Sequence, residues 1–433
     1  MIRKISFSSF LGFYLFFLFS ISCAHQPSKD RRPAEEDGNV LYKETTYAFD
    51  KNVFDVHENS ATTKILKTPF GSNFIGVYWP RPKNFRYNYN FLIRSSVDGK
   101  HWTRWKDIFL ADEGADEVIG KEKDYSALVY TRAAKYFQFH IARIYFSKIQ
   151  FEKFVFIFID SRSQAFRSLA QEGESEDKDA VNDRNIWGAD EKNSWVARDE
   201  KGDLKKDKDG NFLKEDPTPQ PFIKHLIIHH SALDNNLPHE KCHETICAYQ
   251  AAHLKKKWSD IGYNYLICQH GYLYVGRRRL PDARRDGASV VDVIGAQAEL
   301  HNRGTLGVDA IGLYMNTKLL NSKEKEELKQ SMTDSKQLKD DEDFENYSVV
   351  PSKELQERMI KFLVWKSRQY DLDPLGSSPY TAHGEKTAKS LPTILGHSDV
   401  KQTLCPGNNL YSLIDKIFRP TVSKLLEEEK RSK

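Results

Sequence analysis

Up to about residue 160 the apolar residues of this chain come in short bursts that alternate with polar ones, and no stretch keeps a helical period. Phe74 to Trp79, Tyr87 to Ser96, His101 to Trp105, Tyr136 to Phe146 and Phe154 to Ile159 read as strands. Their β-branched and aromatic side chains suit a pleated, half-buried surface. Asp98-Gly99, between two of these runs, is a two-residue hairpin signal. Spaced strands with turns between them predict an all-β, sandwich-like domain over 40–160. Trp102 and Trp105 could stack on sugar rings, but on one strand they would face opposite sides, which puts at least one in the core.

After 161–182, a linker of Ser, Glu, Asp and Lys, the period changes. Leu226–His229, Tyr263–Cys268, Tyr272–Gly276 and Thr305–Met315 read as strands, now separated by helical patterns. Glu244–Trp258 brings Ile246, Tyr249, Ala252 and His253 to one face, and Lys255 to Lys257 suit the negative end of its dipole. Ser352 is placed to cap a helix carrying Leu355, Met359, Phe362 and Leu363, which stops before Pro374. The alternation predicts an α/β domain over 183–425, a central mixed sheet flanked by helices. Two charged stretches inside it, 197–221 and 316–350, read as a surface loop and an insertion; 426–433 reads as a charged tail.

The first residues follow neither pattern. Arg3 and Lys4 precede Ile5 to Phe19, an apolar run of signal-peptide length and too short for a comfortable membrane span. Export is expected. The run ends in S-I-S-C at Ser20 to Cys23, which resembles the lipobox of bacterial lipoproteins, although Ser20 departs from the usual Leu. On that resemblance 1–23 is a lipoprotein-type signal segment, Cys23 carries lipid, 24–39 is a polar tether, and Ala24 after the Cys implies a periplasmic protein at the outer membrane. The other reading is an ordinary cleaved signal and a secreted protein. With 65 basic against 61 acidic residues and a net charge of +4, nothing in the charge balance suggests nucleic acid as a partner.

Two segments carry the candidate chemistry. The Ile-rich run from Phe222 ends abruptly in His229 and His230, as a buried strand ending at a cleft would. Far downstream, L-G-H-S-D-V-K-Q-T-L-C-P-G at Leu395 to Gly407 spaces His397, Thr403 and Cys405 by six and two. His nitrogen and Cys sulfur are the ligands Zn2+ prefers, and a catalytic site keeps three protein ligands with a fourth position open. His229, His397 and Cys405 would supply three.

These segments resemble the zinc-dependent N-acetylmuramoyl-L-alanine amidases, a group that includes peptidoglycan recognition proteins and small phage amidases. Two further blocks agree with that family: W-S-D-I-G-Y-N-Y-L-I-C-Q-H-G-Y-L-Y-V-G-R at Trp258 to Arg277, and R-N-I-W-G-A-D-E at Arg184 to Glu191. The resemblance spans about 183–425 and implies Zn2+ as cofactor and peptidoglycan, glycan strand and stem peptide, as partner. It implies hydrolysis of the amide between N-acetylmuramic acid and L-alanine, with Tyr263 and Thr403 as catalytic residues. It also places His230, His253, Asn264, Arg277 and Asn302 at substrate positions. Gln297 stands where the family often has His, which puts the usual stem-peptide contact there in doubt. Cys242 and Cys247 resemble the short-loop disulfide of the recognition proteins, and Cys268 reads as a buried thiol. Two other readings stand beside the enzyme: a non-hydrolytic peptidoglycan-binding protein anchored to the envelope, and a closed structural zinc site with His230 or His225 as fourth ligand. Adjacent His229 and His230 face opposite sides of a strand, which argues against the closed site.

Lipidation at Cys23 has a direct readout. Cys23→Ser is expected to move the protein from the membrane fraction to the soluble fraction and to abolish palmitate labelling; unchanged membrane association would refute it.

Overall fold

The runs Phe74–Trp79 and Phe154–Ile159 are apolar on both sides, and the structure shows why. In this computed structural model the described residues run from 41 to 432, except 58, 81–89, 109–122, 127, 143–150, 162–179, 200–202, 221, 233–234, 236, 282–289 and 321–346. The expected signal segment and tether, with Cys23, lie outside them, as do most of the expected linker 161–182 and most of the expected insertion 316–350. Contacts group Ala34–Lys433 as one unit.

β1 (Leu41–Ala48), β2 (Phe54–His57), β3 (Ser60–Thr63), β4 (Leu66–Pro80), β5 (Asn90–Ser96), β6 (Lys106–Asp107), β7 (Lys123–Tyr125), β8 (Val129–Ala142) and β9 (Lys153–Asp160) form one antiparallel sheet. Its main path is β1-β9-β4-β8-β3-β2, with β5 alongside β8, β6 alongside β5 and β7 alongside β4. Four of the five expected runs lie wholly or partly on its strands and His101–Trp105 does not, and the strands form one continuous sheet. β4 and β8 are 15 and 14 residues long, and their pairing shifts register on both sides of Ser72. Such irregularities bend a sheet, so one strand can serve two parts of it.

β9 illustrates the two covered faces. Phe154, Phe156 and Phe158 enter an aromatic core with Phe137, Phe139, Phe91 and Trp79. Trp79 and Phe91 meet edge-on with centroids 4.4 Å apart, a geometry that aromatic quadrupoles favour. Ile157 and Ile159, one step out of phase, face the second half of the chain. Trp102 and Trp105 do not take opposite faces: the Arg94 guanidinium lies 5.0 Å from one ring and 4.7 Å from the other. Residues 103–105 are not a strand, so the alternation rule does not govern them.

The second sheet is mixed and six-stranded. After β10 (Val181–Asn182) come β11 (His225–His230), helix α1 (Lys241–Lys255), β12 (Tyr265–Ile267), β13 (Leu273–Val275), the small pair β14 (Leu280–Pro281) and β15 (Val290–Val291), and β16 (Thr305–Ala310). They are followed by α2 (Lys353–Tyr370), the ribbon β17 (Ser377–Tyr380) and β18 (Lys389–Pro392), β19 (Ile394–Gly396), α3 (Asn408–Leu413) and α4 (Arg419–Arg431). The order is β10-β13-β12-β16-β11-β19, with only β12 and β13 antiparallel. Leu226, Ile228, Leu306 and Val308 pack under Leu355, Met359 and Phe362 of α2 and under Leu410 and Val422. Ser352 caps α2 as expected, accepting from the Leu355 N–H at 3.1 Å. α4 continues through Arg431, so most of the expected tail is helix.

The other face is covered by α1, which is buried nearly all round because the first sheet lies against its far side. A helix with no water face is expected only between two layers. At this junction the Asn73 amide donates to the Glu244 carboxylate at 3.1 Å and to Ser161 Oγ at 2.9 Å. Ser161 N–H in turn donates to Asn73 Oδ1 at 3.0 Å, and Ser161 Oγ to the Glu244 carbonyl at 2.9 Å. Residues 315 and 349 are joined by a backbone hydrogen bond of 2.9 Å, so the segment between them leaves and returns at one point.

The junction yields a stability test. Asn73→Ala takes the printed partner from the buried Ser161 N–H and one contact each from Glu244 and Ser161 Oγ, which keep Lys241 and the Glu244 carbonyl; a buried group left unsatisfied costs about 1–3 kcal/mol. A Tm several degrees below wild type is expected in thermal unfolding; an unchanged Tm would show that the contact contributes nothing.

Candidate metal centre

The pairing of β11 with β19 sets Ile228 opposite Gly396, so the next residues, His229 and His397, leave two adjacent parallel strands side by side. Their ring centroids are 4.5 Å apart. His397 begins a single 3-10 turn, His397–Asp399, closed by the Gly396 N–H to the Asp399 carboxylate at 2.8 Å. The chain then loops over Thr403 and returns to Cys405, whose carbonyl accepts from Ser398 N–H at 2.9 Å and whose N–H donates to Thr403 Oγ1 at 3.1 Å. Cys405 Sγ ends 3.6 Å from His229 Nδ1, with His230 N–H directed at it from 3.3 Å. One ligand atom from each of His229, His397 and Cys405 lies within 4.8 Å of the others, and all three residues are buried. Among the described residues no other group of three such side chains converges this way.

Gly407 follows with φ +84°, and a Cβ there would meet the Tyr314 carbonyl at 2.3 Å. Only glycine allows the Cys405 loop to sit so low on the sheet.

The sequence did not mark what orients His229. Its Nε2 is hydrogen-bonded to Gln297 Oε1. The Gln297 amide nitrogen donates to Thr305 Oγ1 at 3.0 Å, and Asn302 Oδ1 accepts from the Gln297 and Ala298 N–H groups at 2.8 and 2.9 Å. Gln297 is fully buried, so its oxygen faces the imidazole and its nitrogen faces away. The effect is to fix a proton on Nε2 and leave Nδ1 turned toward Cys405, the carboxamide equivalent of the outer contact that a ligating His usually makes. Asp309, also buried, stands in register with His229 on β16. Burial first, and then the charge of Asp309, push the Tyr314 phenol well above its usual pKa. The signal for Asp309 was a lone carboxylate in the otherwise uncharged T-L-G-V-D-A.

Tyr263 does reach the centre: it is buried, and its ring lies 5.5 Å from that of His229. Thr403 is half-buried in the loop between two of the three donors. The five residues expected to touch substrate have other engagements. His230, buried, points its Nδ1 at Tyr314 N–H, 3.5 Å away, on the side opposite His229. Asn264 donates to the Val293 carbonyl at 2.8 Å and accepts from Gly307 N–H at 3.0 Å, which uses it as a backbone stitch. Asn302 supports the Gln297 turn. His253 accepts from Gly262 N–H at 3.0 Å and packs on Trp258, holding the loop that carries Tyr263. Arg277 is buried, with its guanidinium 4.9 Å from the Trp195 ring. All five are buried and take part in the scaffold around the centre.

The expected Cys242–Cys247 disulfide is absent. Both lie on α1, where a five-residue step turns the side chain by about 140°. Cys247 points away from its neighbour and donates to the Trp187 carbonyl at 2.6 Å; burial raises its thiol pKa well above normal. His225 accepts no role as a fourth ligand either, since it is held between the Pro392 carbonyl at 2.8 Å and Ser378 at 3.1 Å.

No family model and no curated protein sequence matches the chain. Among solved structures it is similar to Drosophila peptidoglycan recognition protein SD, 23% identical over 55% of this chain and 94% of that one, with a TM-score of 0.33. Drosophila PGRP-LB gives 21%, 55%, 94% and 0.32. The N-acetylmuramoyl-L-alanine amidase LysC of Clostridium intestinale gives 18%, 47%, 93% and 0.27. The structural neighbours are peptidoglycan recognition proteins and N-acetylmuramoyl-L-alanine amidases. These are the proteins that the sequence motifs resemble.

The donor set itself, two imidazoles and a thiol converging in a buried site, fits Zn2+. The Gln297 contact can then be tested apart from activity. Gln297→Leu is expected to weaken Zn2+ binding about 10- to 100-fold, measured by competition with a chromophoric chelator; an unchanged affinity would show that Gln297 does not orient His229.

Proposed function

We propose that the protein hydrolyses the amide between N-acetylmuramic acid and the L-alanine of the stem peptide. The observation that carries this reading is the convergence of His229, His397 and Cys405 at the carboxyl ends of parallel strands, with Tyr263 against one of the three. In open α/β sheets that is where ligand clefts form. A structural zinc centre needs a fourth protein ligand, and neither His225 nor His230 is turned toward the cluster. Three ligands are what a hydrolytic site keeps.

Lewis acidity toward the scissile carbonyl, and a water whose pKa falls to about 7, are what Zn2+ supplies when bound. The remaining work belongs to the chain. Gln297 and Thr305 keep the His229 ring in one tautomer, so the donor atoms need no reorganisation. Tyr263 moves a proton between the attacking water and the departing amine, a role that its position beside His229 supports. The Thr403 hydroxyl, oriented by Cys405 N–H, donates to the oxyanion as it develops. On this reading the leader delivers the enzyme to the periplasm, where lipid on Cys23 would hold it near its polymeric substrate.

The test is mass spectrometry of purified sacculi after digestion. Stem peptides released with a free L-Ala amine support the proposal; sacculi that bind the protein and stay intact would make it a binding protein. Variants separate metal holding from chemistry. His397→Ala is expected to lose both zinc and activity. Tyr263→Phe and Thr403→Val are expected to keep zinc and lose rate, by about 10² to 10⁴ for acid-base assistance and about 10² to 10³ for one oxyanion donor. Wild-type rates in both would remove the assigned roles.

A further inference from the structure

Trp102 and Trp105, which the metal centre does not use, flank Arg94 on the first sheet. β5 and β8 pair Arg94 with Gln138 and Leu92 with His140. Phe91, Ile93, Phe137 and Phe139 enter the aromatic core, so Arg94, Gln138 and His140, one step out of phase, lie on the other face. The turn that brings Trp102 over Arg94 is fixed. Asp98 accepts from the N–H groups of Lys100 and His101, both at 2.8 Å, and Thr103 N–H donates to the Ser95 carbonyl at 2.9 Å. Trp105 rests against His140, with ring centroids 5.6 Å apart. Between the two indoles the guanidinium is aimed by Gln138, whose Oε1 accepts from Arg94 Nε at 2.9 Å and whose amide nitrogen donates to the Thr63 carbonyl at 2.9 Å. A neutral carboxamide directs the cation without cancelling its charge. Among the described residues no carboxylate pairs with Arg94, and partial burial lowers its pKa with no acid to offset the shift. Arg94, Trp102 and Trp105 are half-buried, and the exposed Lys100 and Arg104 add positive charge to the same segment.

We infer that Arg94, Trp102 and Trp105 form a binding platform for the carboxylate-bearing glycan strand that remains once stem peptides have been removed. The inference rests on the proposed hydrolysis in one respect: cleavage of the muramoyl amide turns the lactyl carbonyl into a free carboxylate, so every stripped sugar gains a negative charge. The chemistry of the platform matches that strand. A pyranose has an apolar C–H face that an indole covers, and a guanidinium stacked on aromatic rings keeps its N–H edge free for a carboxylate. Gln138 takes donors on Nε and Nη2, which leaves Nη1 to meet an anion. An uncleaved muramic acid offers a neutral amide at the same place. The platform therefore prefers the product strand to the substrate, and the preference would keep the protein on a strand it has begun to strip.

The experiment reads binding, not turnover. Glycan strands are stripped of stem peptides beforehand by a separate amidase and end-labelled, and half of the preparation is coupled to methylamine so that each lactyl carboxylate becomes a neutral amide. Neither probe holds a bond for this protein to cut, so a failure of the proposed hydrolysis would leave the result untouched. In fluorescence anisotropy with the full chain, the stripped strand is expected to bind about 10- to 100-fold more tightly than its methylamide, with the difference shrinking as salt is added. Arg94→Gln is expected to lose that factor on the stripped strand and nothing on the methylamide, and Trp105→Ala to weaken both. A purely structural role for Arg94 would weaken both probes alike and overturn the assignment. Equal affinity of the wild-type protein for the two probes, or no binding of either, would overturn it without recourse to any variant.

Discussion

The pairing of β11 with β19 is the constraint on which the site depends. With Ile228 opposite Gly396, His229 and His397 emerge next to each other on the same face. A slip of one residue would turn His229 toward Tyr314 and bring His230 to the centre in its place. The apolar residues enforce the register: Leu226 and Ile228 must face α2, so Ile227 and His229 must face the other way. Positions of the ligands are therefore a by-product of core packing, and the buried Gln297 adds the last degree of freedom, the orientation of the ring.

The same logic reaches outward through α1. That helix is buried by the mixed sheet on one side and by the antiparallel sheet on the other. Asn73, Ser161 and Glu244 satisfy one another where water is excluded, so the first half of the chain is built into the support of the second. Tyr249 and His253, on the opposite side of α1, pack toward Tyr263. Damage at the first sheet is thus expected to be felt as looseness around the centre.

What could be read from the sequence follows from how local each signal is. The β11 strand, the Ser352 cap and the ligand spacing in 397–405 depend on neighbours in the chain, and they are found where expected. β19, three residues long, has too little sequence to show a period. The Thr305–Met315 strand stops at Ala310 because Gly312, at φ +147°, cannot continue it. Gln297 and the five expected substrate positions are legible in the sequence only as residue types. A residue type says what a side chain can bond to, but whether it meets a ligand or a carbonyl is decided by tertiary packing, as Asn264 and His253 show. The cysteines follow the same rule: five residues apart in sequence put Cys242 and Cys247 on different sides of one helix.

The central claim is a metal held by two imidazoles and one thiolate with a position left open. Zinc-edge X-ray absorption on the purified protein reads that coordination shell directly. Two nitrogen scatterers at about 2.0–2.1 Å, one sulfur at about 2.3 Å and one further light atom from solvent are expected. A shell without sulfur, a closed shell of four protein nitrogen and sulfur ligands, or protein that takes up no zinc would contradict it.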